Sequence, residues 1–208
     1  GYDTATAAAD LAALAIPAAI AVGQSWGGNV VVELAAKHPE LVAGLALVDG
    51  GWIAPAQEFP SWEACAAALR PPEIDGLAAS QLEGYIREQH PDWSGEAVAA
   101  TLANLRVWPD GTLTRRLPID RHMLIVRSMW DDPPQPYYQA ITAPVLLVPA
   151  VPADLRAATA RRERVEATAR ALARATVREY VGADHDVHAQ HPDQLAADLL
   201  DWAAREAY

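Results

Sequence analysis

The sequence predicts an α/β protein in which a parallel sheet is interrupted by a helical insertion. Three observations carry that prediction. Short unbroken apolar runs alternate with amphipathic segments near both ends of the chain. Strands of a parallel sheet covered on both faces read as continuous apolar runs, because every side chain is buried. Between the two alternating stretches lies a long region of helical patches and proline-rich breaks in which the strand signal disappears.

The elements follow in order. Thr4 to Ile16 is rich in alanine and leucine and helical by propensity, and Pro17 ends it. Ala18 to Val22 is a buried strand, and Asn29 to His38 an amphipathic helix stopped by Pro39. Leu45 to Val48 is a second strand, ending at Asp49-Gly50-Gly51. From Trp52 to Ile141 the helical patches are Ser61 to Leu69, Ala79 to Gln89, Gly95 to Leu105 and Ile119 to Trp130. An insertion of this kind between two strands would form a cap over an active site. Trp52, Trp62, Trp93, Trp108 and Trp130 all fall in it. Most are read as packing, with Trp52, Trp130 and the neighbouring His122 as candidate substrate contacts. The α/β rhythm then returns with a strand at Val145 to Val148, a helix at Arg161 to Ala175 and a strand at Thr176 to Val181. The loop Gly182 to Asp186 and a closing helix from Pro192 to Ala207 complete the chain. The resulting organisation is residues 1–51 as core, 52–141 as helical cap insertion, and 142–208 as the rest of the core.

The 208 residues carry 27 acidic and 16 basic side chains, a formal charge of −11. That balance, without any basic stripe, disfavours nucleic acid and anionic membrane surfaces as partners. A small molecule is the expected partner. The single cysteine, Cys65, excludes an intrachain disulfide and sits in a helix interior as a buried thiol. No apolar run reaches the ~20 residues of a membrane span, and no signal peptide is visible, so the cytoplasm is the default compartment.

Gly23-Gln24-Ser25-Trp26-Gly27-Gly28 joins the first strand to the helix after it. Strand, glycine, serine, glycine, helix is the context of a nucleophile elbow. A serine at such a tip sits in strained backbone, and Gly23 and Gly27 are expected to remove Cβ atoms that would clash. The helix start beside it presents amide groups to an anion. A serine hydroxyl needs a base within hydrogen-bond reach, itself oriented by a third group. Of six histidines, His38 and His90 precede prolines at helix ends and read as surface residues. His122 lies in the insertion, and His185, His188 and His191 share the late loop.

Taken together, these residues make the chain similar to the α/β-hydrolase superfamily, in its capped, serine-esterase-like branch. The elbow Gly23 to Gly28 matches, with Gln24 where the family usually has histidine. Gly182-x-x-His185 followed by Pro192 matches the late loop. The resemblance implies an α/β-hydrolase-type parallel sheet, corresponding to the C-terminal part of that fold, with a helical cap. It implies Ser25 as nucleophile, His185 as general base and the Trp26 amide as an oxyanion donor, with no cofactor. The reaction implied is hydrolysis of an ester or similar acyl compound, with a small hydrophobic substrate.

For the third member of such a triad the family's usual G-x-x-D is absent, and Asp154 is the candidate by position. Asp49, at the end of the preceding strand, is the alternative acid. Asp184 and Asp186 are read as tuning or capping the histidine loop. Two other functional classes stay open. One is a ligand-binding protein, or a truncated inactive fragment, that keeps the fold without turnover. The other is a metal-binding protein using the ligand-type residues of Asp184 to His191. The family's first strands and its second oxyanion donor have no counterpart before the elbow. The strand Ala18 to Val22 is therefore expected to form an exposed sheet edge, completed by an upstream segment or by a second copy in a homo-oligomer.

Overall fold

The computed structural model describes residues 1–206. Asp3 opens helix α1 (Thr4–Ala12) by accepting from the Thr6 amide at 2.7 Å. Strand β1 (Ala19–Gln24) follows and turns at Ser25 into α2 (Trp26–Lys37). Strand β2 (Val42–Val48) comes next. The following region contains α3 (Trp62–Leu69), α4 (Ala79–Gln89), α5 (Gly95–Ala103), β3 (Leu105–Val107), β4 (Leu113–Arg115) and α6 (Ile119–Asp131). Ser61 and Ser94 cap α3 and α5 through their hydroxyl oxygens. The last third contains β5 (Val145–Val148), β6 (Ala150–Val151), α7 (Leu155–Ala171), β7 (Ala175–Val177), β8 (Tyr180–Val181), α8 (Val187–Gln190) and α9 (Pro192–Glu206).

The main sheet has the order β1-β2-β5-β7, parallel throughout. Pairing resumes beyond Pro149 as β6 with β8, again parallel. Successive residues of β2 and β5 divide between two cores, as the two-residue period of a strand requires. Leu45, Leu47, Val145 and Leu147 pack with α1, α2 and α7. Ala46, Val48, Leu146 and Val148 pack with α8 and α9, through Val187, Leu195 and Trp202. Burial on both faces is why these strands read as unbroken apolar runs.

The structure corrects several boundaries. The expected strand at Thr176 to Val181 is two strands, because the chain leaves the ladder at Arg178 and Glu179. Helix α7 starts at Leu155, six residues earlier than the sequence predicted. The region between β2 and β5 is not free of strands. Leu105 to Val107 pairs antiparallel with Leu113 to Arg115 across a turn at Asp110-Gly111, where Gly111 takes φ +83°. Two three-residue strands are too short for periodicity to detect.

Candidate active site

Ser25 sits between β1 and α2 with φ 55° and ψ −127°, outside the regions that L-residues ordinarily occupy. Its amide donates to the Val48 carbonyl at 3.0 Å, which ties the turn to the end of β2. Glycines make that contact sterically feasible. A Cβ on Gly23 would lie 2.2 Å from the Gly27 carbonyl oxygen, and one on Gly50 2.1 Å from that of Ser25. A Cβ on Gly28 would lie 2.3 Å from the Gly51 nitrogen. Gly27, expected to serve the same purpose, has nothing within 4 Å of a Cβ. The required glycines are therefore 23, 28 and 50. Asn29 reinforces the joint by donating to the Ile53 carbonyl at 2.8 Å and accepting from its amide at 3.3 Å.

His185 lies in the loop between β8 and α8, and its Nδ1 is 2.6 Å from Asp49 Oδ2. Asp49 closes β2 with φ 40° and is 2% exposed. Its other oxygen accepts from the Ala150 amide at 3.1 Å and from the Arg161 guanidinium. A buried carboxylate whose oxygens are engaged in this way is held in place against the imidazole. The hydrogen bond to Asp49 raises the His185 pKa, against the opposing effect of burial; the charges of Asp49 and Asp186 add to the rise and Arg161 reduces it. Asp154, placed ahead of Asp49 by its position in the sequence, is elsewhere. It is the N-cap of α7 and accepts from the Ala157 amide at 2.8 Å. His185 is thus paired with Asp49, the alternative acid of the sequence reading, while Asp154 caps α7. Arg161, which holds Asp49, carried no signal in the sequence.

Ser25 and His185 open onto one cavity of about 510 Å³. Its far wall is the inner face of α6, where His122, Ile125, Val126 and Met129 recur at helical spacing. Trp26 contributes a side wall, fixed by its indole N–H donating to Thr4 Oγ1 at 3.1 Å. Burial lowers the His122 pKa, with the Arg115 charge adding to the effect, which favours the neutral imidazole. Of the three residues expected to touch substrate, only His122 lines this cavity. Trp52 is 1% exposed within the core between the sheet and α2. Trp130 packs edge-on against Trp62, ring centroids 6.0 Å apart, beside α3. Indoles supply large apolar area, and here both are used for packing.

The remaining titratable candidates separate. Cys65 is buried in α3, and burial pushes its thiol up. His188 is exposed, and the His191 ring packs against Tyr180 at 5.7 Å. With His185 committed to Asp49, the loop does not gather its histidines. Among the described residues no three or more His, Cys, Asp or Glu side chains converge as a metal site. His90, read as a surface residue, instead bonds Asp184 through Nδ1 at 3.0 Å. Among the described residues no helix is long and apolar enough to cross a membrane.

Comparison with known proteins gives the arrangement its context. No curated relative matches the chain. Among solved structures, E-2-(acetamidomethylene)succinate hydrolase is similar with a TM-score of 0.76 and 23% identity, over 98% of this chain and 75% of that one. N-formylmaleamic acid deformylase from Pseudomonas putida S16 gives 0.70 and 17%, over 96% and 73%. A thermophilic esterase from Thermogutta terrifontis gives 0.60 and 20%, over 91% and 65%. At these identities the likeness is one of fold. The sequence model of the alpha/beta hydrolase family matches residues 1–198, and the chain belongs to that family.

Proposed function

We propose that this hydrolase cleaves an ester or related acyl compound with a small, largely hydrophobic acyl or alkyl part, through an acyl-Ser25 intermediate. The observation that carries the reading is the 2.6 Å contact of His185 with buried Asp49, on the rim of the cavity that Ser25 enters. In this reading His185 Nε2 takes the Ser25 hydroxyl proton as the oxygen attacks the carbonyl carbon. Asp49 keeps the other ring nitrogen protonated and stabilises the imidazolium that forms. The amide of Trp26, the first residue of α2, donates to the developing oxyanion, assisted by the positive end of the helix. Collapse of the tetrahedral species returns the proton from His185 to the leaving oxygen or nitrogen. A water, deprotonated by the same imidazole, then releases the acid.

The cavity volume falls within the range of small-molecule sites, ~300–1,000 Å³. Its wall along α6 is apolar except for His122, which gives one hydrogen-bonding point on that wall. A carboxylate nucleophile, as in dehalogenase-type chemistry, has no place at the elbow because residue 25 is serine. The test is treatment with an alkyl fluorophosphonate followed by peptide mass analysis. The expected result is one adduct, on Ser25, and loss of ester turnover in Ser25→Ala. Unchanged turnover in that variant would overturn the reading.

A further inference from the structure

The loop that presents His185 is held from two directions. On one side Ala183 and Val187 are buried against the sheet and α9. On the other side Ala189, in the last turn of α8, is buried among Ile86, Trp93 and Val98 of the α4–α5 region. Helix α8 therefore lies astride two separate apolar clusters, one belonging to the sheet and one to the region between β2 and β5.

Polar contacts cross the same seam. Gln190 Oε1 accepts at 2.7 Å from the amide of Asp184, the residue before His185. Gln190 Nε2 donates to Asp92 Oδ2 at 2.6 Å, in the turn between α4 and α5. Asp184 Oδ2 bonds His90 Nδ1 at 3.0 Å, and the His90 ring stacks on Trp93 with centroids 4.1 Å apart. Gln190 is thus the side chain that grips the histidine loop with one end and the 90–93 turn with the other. A primary amide suits this task, because it offers a donor and an acceptor in one rigid plane.

We propose that Gln190, clamped by Asp92, is a positioning residue that holds the His185 loop in its working geometry through the 90–93 turn. The inference rests on the reading of His185 as the base that activates Ser25. Its physical basis is that His185 has no covalent stiffness of its own. The side chain is about half exposed, and the peptide that carries it is held by the two clusters, by this bridge, by the Asp184–His90 bond and by Gln24 Nε2 donating to the His185 carbonyl at 3.3 Å. A shift of the loop by a fraction of an ångström lengthens both the contact to Asp49 and the reach to Ser25. A misplacement of about 1 Å in catalytic groups can cost ~10²-fold in rate.

The bridge can be broken and rebuilt with its donor and acceptor exchanged. In Gln190→Glu the acceptor for the Asp184 amide survives, but a carboxylate now faces Asp92. Adding Asp92→Asn gives Asn Nδ2 as donor to the new carboxylate and restores the clamp with reversed polarity. The measurement is the second-order rate of Ser25 labelling by an alkyl fluorophosphonate, with kcat and KM for a p-nitrophenyl ester measured alongside. The expected result is a fall of roughly ten- to a hundredfold in labelling rate and kcat for Gln190→Ala and Gln190→Glu, with KM little changed. The double variant should recover most of the loss. The pH midpoint of labelling should also fall in Gln190→Ala, because the Asp49 bond, the largest influence raising His185, loosens while burial and Arg161 still lower it and Asp186 still raises it. If Gln190→Ala fails to fold, the Gln190→Glu and double variants still decide the matter. Wild-type rates in the single variants, or a double variant no better than Gln190→Glu, overturn the proposal. His185→Ala separates the two levels of inference. If Ser25 in that variant labels at the wild-type rate, His185 is not the base and both readings fall.

Discussion

Asp49 follows a strand of the main sheet and Asp154 follows the short strand β6, and backbone geometry rather than residue type separates them. Asp49 ends β2 with φ 40°, a conformation that aspartate tolerates better than most residues, and this turns its carboxylate inward to His185. Asp154 lies three residues beyond β6, in extended backbone, where its carboxylate meets the Ala157 amide of α7 instead. Asp49→Asn should therefore lower turnover by about 10⁴-fold, as a wrong-tautomer substitution does. Asp154→Asn should leave turnover unchanged, and Asp154→Ala should cost about 1 kcal/mol of stability through the lost cap. Steady-state kinetics beside thermal melts checks all three. The pH profile gives a second test. A base must be neutral, so kcat/KM should rise with pH through the His185 pKa, which the Asp49 bond places above the ordinary 6.5. In Asp49→Asn the residual activity should show that limb moved to lower pH. The same pair adds stability below the unfolded-state value near 6.5 and loses it as pH rises through the higher folded value. A limb that stays in place in Asp49→Asn would show that another group controls it.

At the scale of elements, the turn between β1 and α2 was legible because its chemistry is local. A strained serine between a strand and a helix needs particular neighbours at fixed offsets, and the string Gly23 to Gly28 displays them. Gly50 and Arg161 were not legible, because their importance comes from contacts between segments distant in sequence. Gly50 matters only since β2 ends against the Ser25 carbonyl. Arg161 matters only since α7 runs past the buried Asp49. The hairpin of β3 and β4 escaped for a different reason, its strands being three residues each. The glycines allow a graded test. Gly50→Ala and Gly28→Ala force a Cβ against backbone that cannot yield, and should unfold the elbow or abolish Ser25 labelling. Gly27→Ala meets open space and should retain both fold and labelling. Comparable damage in all three would mean that the local backbone is not what places Ser25.

Across the whole molecule, the two central strands of the sheet are buried, while both edge strands, β1 and the short β7, reach the surface. Order β1-β2-β5-β7 leaves β1 at an edge, and among the described residues nothing pairs with its outer side. Val22 on β1 is 51% exposed, and Leu14 and Ile16 before it are 62% and 57% exposed. With Leu11, Leu34 and Leu41 they line an apolar groove of about 230 Å³. Natural sheets protect such edges with charges, prolines or bulges; β1, spanning Ala19-Ile20-Ala21-Val22-Gly23-Gln24, carries no charge and no proline, and its one register shift lies at its start, between Ala19 and Ile20. The net charge of −11 opposes association of whole molecules, but it is spread over a surface while the edge is a local contact. Burial of the contiguous apolar edge should outweigh that screened repulsion as ionic strength rises. The expectation is self-association of this chain that strengthens with salt, read by sedimentation velocity over a concentration series. Val22→Lys places a charge on the exposed face of the edge strand and should shift the equilibrium towards monomer without changing Ser25 labelling. A wild-type chain that stays monomeric at high salt and high concentration would show that the edge is protected by its own geometry.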